Sequence, residues 1–188
     1  IVKMTKIIEA LENWAEDFEE HYIYQSPTGP IYPKVNIGAI EGGAPYRPNY
    51  FPGICDLYVD VRTPPQVRPV TVQHEIQKVL SGLGIEYEME AYKSLLGHEG
   101  KGVEPLVRSV EEAYQYLFGE SVKPEAPDRA SIWTDTNVYN ELGIPAVKIG
   151  PRGKRIGPRN EELEIDQMVN AARLYALVAL DICSRERK

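Results

Sequence analysis

Between Ile54 and Arg62 the chain alternates without a break. Cys55, Leu57, Val59 and Val61 fall on one side, and Asp56, Tyr58, Asp60 and Arg62 fall on the other. A period of two with one apolar side is the pattern of a β-strand buried on a single face. Such a strand needs neighbours in a sheet and something apolar laid over one side of it. Asp60 and Arg62, two residues apart, share the open face with their charged ends free. Pro52-Gly53 marks a turn just before the strand and displaces Asn49 from its line.

The segments around this strand fit the same plan. Met4, Ile7, Ile8, Leu11, Ala15 and Phe18 recur at three- and four-residue steps among charged residues, the pattern of an amphipathic helix. The stretch 21–30 ends in turn residues and reads as a loop. Val35, Ile37 and Ala39 alternate into Glu41-Gly42-Gly43, a strand running into a glycine turn. Thr71 is placed to cap a helix carrying Val72, Ile76, Val79, Leu80 and Leu83, which Gly84 closes. Ile85, Tyr87, Met89 and Ala91 then alternate with Glu86, Glu88 and Glu90, giving a third half-exposed strand.

The order α-β-β-α-β, with one apolar face per strand, calls for an open sheet with both helices on one side. It equals the ferredoxin-like β-α-β-β-α-β unit without its opening strand. That strand is expected ahead of Ile1, a first residue that is not methionine. An extra bare strand edge then predicts non-native association.

Beyond the glycine-rich stretch 94–102 the pattern changes. Val103, Leu106, Val110, Ala113, Tyr114 and Leu117 make a helix ended by Gly119, and a small helix opens at Thr134 and stops at Gly143. Residues 146–149 read as a short strand, and Asp166 as the cap of a last helix. The expected fold class is therefore α+β. Residues 1–95 form a ferredoxin-like unit, an open antiparallel sheet with two helices on one face and its first strand missing. Residues 96–188 form part of an α/β segment.

Charge narrows the function classes. A net charge of −7 argues against a nucleic-acid binder, which needs a basic surface. No apolar run approaches the roughly 18 residues of a membrane span, and no signal segment opens the chain. Two cysteines, Cys55 and Cys183, make neither a disulfide framework nor a metal cluster, which fits a reducing, cytoplasmic setting.

Candidates for chemistry are sparse. His21, His74 and His98 are not paired at metal-ligand spacing, and no serine elbow or phosphate loop occurs. Thr134-Asp135-Thr136 lies where a strand gives way to a helix, a usual ligand position in α/β sheets. Asp135 serves equally as a plain helix cap. Arg152, Lys154, Arg155 and Arg159 follow a strand end and read either as an anion site or as a solvated loop.

Val35-Asn-Ile-Gly-Ala-Ile-Glu-Gly-Gly43, with Asn49 and Pro52 leading to Asp60-Val-Arg62, resembles the lid domain of the M20 metallopeptidases and amidohydrolases. The later half resembles their C-terminal catalytic segment through Thr134-Asp135-Thr136, Gly143-Ile144-Pro145, Gly150-Pro151 and Leu174-Tyr175. The resemblance implies a zinc-dependent amidohydrolase or peptidase that cleaves an amide bond of an N-acyl amino acid or small peptide. It also implies a homodimer through the lid. Asn49 and Arg62 match the family's substrate-gripping residues, Gly150 matches a substrate-binding position, and Asp135 supports the site; Arg62 reads equally as one half of a surface pair with Asp60 or a neighbouring acid. Most zinc ligands are expected outside this chain, so the chain alone is expected to be inactive.

One departure stands out. The family's last metal ligand is a histidine a few residues before an Asn-Glu pair, and here Gly157 precedes Asn160-Glu161 at that place. This motivates a second reading, a non-catalytic M20-like binding protein without the metal. A third is a plain ferredoxin-like dimerisation or small-molecule-sensing module.

Overall fold

The computed structural model describes residues 1–124, 133–151, 153–155 and 160–185. The chain is α+β and divides into two compact units, at the boundary between His98 and Glu99. Ile1–His98, joined by Trp133, form the first unit, and 99–124 with 134 onward form the second.

In the first unit, α1 (Val2–His21) buries Ile7, Leu11, Trp14, Ala15 and Phe18, a single stripe at helical spacing. The stretch expected as a loop after it instead holds a small hairpin, β1 (Tyr24–Ser26) paired with β2 (Gly29–Ile31). The turn is tied by the Ser26 hydroxyl, which donates to Gly29 O at 2.6 Å, while Gly29 takes φ 127°.

The main ribbon is β3 (Lys34–Gly42) antiparallel to β4 (Cys55–Arg62), pairing Lys34 with Arg62 at one end and Gly42 with Cys55 at the other. Burial alternates residue by residue along β4, as its period of two requires. Leu57, Val59 and Val61 pack with Val35 and Ile37 of β3 onto one core cluster. Its buried members are Ile7, Leu11, Trp14, Phe18, Val67, Val72 and Leu80. Helices α1 and α2 (Pro69–Ser81) thus share the apolar side of the ribbon, and the other side stays open.

Two expectations need correction here. Helix α2 does not begin at Thr71. It starts at Pro69 with Arg68 as the cap residue, because proline's fixed φ suits the first helical position and it has no N–H to leave unpaired. Residues 85–91 keep their alternation, with Ile85, Tyr87 and Met89 packed on the core and the three glutamates exposed. They are not a strand, however: among the described residues the sheet is β3 and β4 alone. Alternation specifies which side is apolar, whereas a ladder also needs a partner backbone about 4.8 Å away.

Glu75 of α2 fastens α1 down. The Trp14 indole donates to Oε2 at 2.9 Å and the Tyr22 hydroxyl to Oε1 at 2.6 Å. The hydrogen bond to Glu75, then burial, then the Glu75 charge raise the Tyr22 pKa above its ordinary value. Since the folded-state value lies above the unfolded one, this contribution is full below pH about 10 and is lost as pH climbs through the raised pKa. Glu75→Ala should cost the unit about 2 kcal/mol by stranding both donors, and should bring the Tyr22 titration back toward normal. Chemical denaturation and ring-carbon NMR of Tyr22 read the two effects. An unshifted Tyr22 titration would contradict the bridging role.

In the second unit, α3 (Glu104–Phe118) ends where Gly119 turns left-handed at φ 70°, its N–H bonded to Gln115 O. It packs against α5 (Ile165–Ser184) through Val110, Ala113, Leu174 and Val178. The nearby Ser109 hydroxyl and then the Arg185 guanidinium, which bonds Asp181 Oδ2, hold the Asp181 carboxyl of α5 below the usual carboxylate value, although the buried Ser109 Oγ itself lies outside hydrogen-bond geometry. Helix α4 (Thr136–Glu141) lies between, and β5 (Gly153–Arg155) pairs with β6 (Glu162–Leu163).

The strand expected at 146–149 is not formed: these residues join no ladder among the described residues. Side chains take its polar groups instead: Asn140 bonds both Ala146 N at 3.2 Å and Ala146 O at 3.3 Å, and the Tyr175 hydroxyl donates to Ile149 O at 3.0 Å. The last helix is capped at Glu164 rather than Asp166, which instead sits in the first turn and favours the helix dipole from there.

Candidate functional site

The register of the ribbon assembles a group that no single segment of sequence displays. Lys34 lies opposite Arg62 and Asn36 opposite Asp60, and all four are exposed on the open face. Directly opposed residues in an antiparallel pair have Cβ atoms about 5 Å apart, so the four form one polar square. Glu19, from the last turn of α1, reaches the edge of β3 and accepts the Val35 N–H at 2.8 Å. Glu19, Lys34, Val35, Asn36, Asp60 and Arg62 line an open hollow of about 440 Å³.

The charged ends of Asp60 and Arg62 are not both free as expected: within this hollow the Arg62 Nε donates to Asp60 Oδ2 at 2.9 Å, with the two side chains 47% and 55% exposed. An ion pair this exposed contributes at most about 1 kcal/mol to folding. The bond engages Nε and leaves the two Nη groups available. A planar guanidinium with that edge open is a good bidentate partner for a carboxylate. The hollow can bind and orient an acid. It holds no nucleophile beside a base, so its chemistry is recognition.

The other predicted site residues lie elsewhere. Asn49 is exposed in the turn between Gly42 and Cys55, at the far end of the ribbon from Arg62. Seven residue steps of β4 separate Cys55 from Arg62, about 23 Å at the usual rise of a strand. Asp135 is the cap residue of α4, exposed and making no side-chain cap bond, while Thr134 Oγ1 and Thr136 Oγ1 lie 2.7 Å apart beside it. Gly150 sits where a Cβ would come within 3.3 Å of the Tyr175 hydroxyl. Asn49 and Arg62 belong to the first unit, Asp135 and Gly150 to the second. Gly157, Arg152 and Arg159 lie outside the described residues.

Lys34, Asn36 and Glu19 were not singled out from sequence. The signal that would have found them is the cross-strand partner of each residue on the open face of β4. The turn 43–54 also carries an unanticipated aromatic tip. Tyr46 and Tyr50 are exposed, Phe51 is 98% exposed, and the Arg47 guanidinium lies 5.7 Å from the Tyr50 ring centre.

A second hollow, about 490 Å³, is lined by Trp14, Asp17, Phe18, Glu20, His21, Tyr22 and Glu75. Both Glu75 oxygens there are committed to Trp14 and Tyr22, so this hollow follows from the helix clamp. His21 packs edge-on to Tyr22, and His74 is exposed on α2. Among the described residues no three His, Cys, Asp or Glu side chains converge as metal ligands, and no helix is long and apolar enough to cross a membrane.

Comparison with known proteins bears on this geometry. Residues 1–88 match the M20 peptidase dimerisation domain. The crystal structure of an M20 family metallo-carboxypeptidase from Sulfolobus solfataricus is similar in fold, with a TM-score of 0.59 and 20% sequence identity. The match covers 78% of this chain and 35% of that one. The chain therefore spans about a third of the length of that solved protein. The domain match bears out the resemblance drawn from Val35–Gly43 and Asp60-Val-Arg62.

Proposed function

We propose that this chain, whose residues 1–88 match the M20 peptidase dimerisation domain, belongs to the M20 peptidases and is the lid and C-terminal segment of a metal-dependent amidohydrolase. The substrate is an N-acyl amino acid or small peptide, and the reaction is cleavage of its amide bond. The ribbon's open face grips the substrate's carboxylate through Arg62, with the Lys34 ammonium and Asn36 amide beside it. Two helices over one face of an antiparallel ribbon support a ferredoxin-like lid. In the second unit Gly150, packed beside the Tyr175 hydroxyl, and Asp135, at the start of α4, are taken as the substrate-side positions.

Family membership implies a metal, which we take to be zinc. The described residues do not form a ligand set for it, so no step at a metal is derived from this chain. What the chain's own residues supply is binding and orientation of the acid, and a self-association surface.

The domain match carries this reading. It predicts that the 188-residue protein forms a homodimer through its first unit. Sedimentation velocity across a concentration series should show a dimer. A clean monomer at every concentration would contradict the assignment.

A further inference from the structure

We propose that Asp60 is the positioning residue for Arg62: it holds the guanidinium by its Nε edge so that the Nη edge meets the ligand's carboxylate. This rests on the reading of Arg62 as the carboxylate grip.

Three observations carry it. Asp60 and Arg62 are two apart on one strand, so both project from the same face, and their spacing is set by the pleat. The bond between them, 2.9 Å, uses Nε and a single carboxylate oxygen. The pair is about half exposed, so its contribution to folding is small and a structural role explains little of it. An arginine on an open strand face otherwise samples many rotamers, and fixing them beforehand lowers the ordering cost when a ligand arrives. Lys34, opposite Arg62, borders the same hollow, and Glu19 closes its edge at the Val35 N–H.

The inference makes a prediction opposite in sign to simple charge counting. Asp60 is an anion beside an anion-binding site. By Coulomb's law alone, Asp60→Ala would tighten carboxylate binding. As a positioning residue its loss should weaken binding, by about five-fold for one side chain released from order. Asp60→Asn keeps an acceptor oxygen for Nε and removes the repulsive charge, so it should bind at least as tightly as the wild type.

The test is a titration of the 188-residue protein with N-acetylglycine, and with N-acetylglycinamide as the probe lacking a carboxylate. Proton–nitrogen correlation spectra that include the Arg62 Nε–H signal follow binding. The wild type, Asp60→Ala, Asp60→Asn and Arg62→Ala are compared, each checked for an unchanged melting temperature. The expected order is Asp60→Asn equal to or tighter than wild type, then Asp60→Ala, then Arg62→Ala. The Arg62 Nε–H signal should broaden or move in Asp60→Ala before any probe is added. If Asp60→Ala binds as well as the wild type while Arg62→Ala does not, the positioning role is overturned and the grip survives. If the wild type does not distinguish acid from amide, the reading of Arg62 fails and this inference fails with it.

Discussion

Phe18→Ala should destabilise the first unit by about 3–5 kcal/mol, the usual cost of emptying a phenylalanine site in a close-packed core. Phe18 is 2% exposed, and its ring lies 4.8 Å from that of Trp14 and 4.9 Å from that of Tyr22. It closes the C-terminal end of the stripe that α1 presents to the ribbon, between the two aromatic rings that Glu75 ties down. The effect reaches function because β3 and β4 form only a two-stranded ribbon, which is marginal in water without a helix packed on it. A unit of this size has a total stability of about 5–15 kcal/mol, so the substitution removes a large share of it. Denaturation of the variant should show an early loss of the first unit, with faster amide exchange along β3 and β4. Protection within α3 and α5, which pack on a core cluster of Val110, Ala113, Leu174 and Val178, should stay as it was. A cost below about 1 kcal/mol would mean that α1 is not what holds the ribbon flat-sided.

What could be read in the sequence follows from which physical signal each element carries. The faces of β4 were legible because a period of two leaves no choice about which side is buried. The stripes of α1 and α3 were legible for the same reason at helical spacing, and Gly119 ended α3 through a conformation that glycine enters freely. Residues 85–91 and 146–149 misled because alternation or apolar character reports burial, while a strand is defined by a partner. Around Ala146 and Ile149 that partner is the side chain of Asn140 or Tyr175, which no local pattern announces. The hairpin of β1 and β2 was missed because three residues per strand are too few to show a period, and its turn depends on the Ser26 hydroxyl.

The site divides along the same line. Asp60 and Arg62 on an open face were legible from one strand. Lys34 and Asn36 were not, because cross-strand neighbours depend on register, and Glu19 joins through a bond from a different helix. The family resemblance grouped Asn49 with Arg62, yet the ribbon carries them to opposite ends. Spacing along a chain converts to distance only when the path between two residues is known.

Arg62→Ala should weaken carboxylate binding about ten-fold or more, since a charge-assisted hydrogen bond is worth about 1.5–3 kcal/mol and a bidentate pair uses two. Arg62→Lys should recover part of the loss, because an ammonium keeps the charge but has no planar fork. Folding should be nearly unaffected in both, given the exposure of the side chain. The whole account turns on whether this single-sided ribbon presents a cation to an acid. A saturation titration of the wild-type protein and Arg62→Ala with N-acetylglycine decides it. The account predicts saturable binding with shifts at Lys34, Asn36 and Arg62, no response to N-acetylglycinamide, and loss of binding in the variant. Equal affinity for acid and amide, or an unchanged curve for Arg62→Ala, would contradict it.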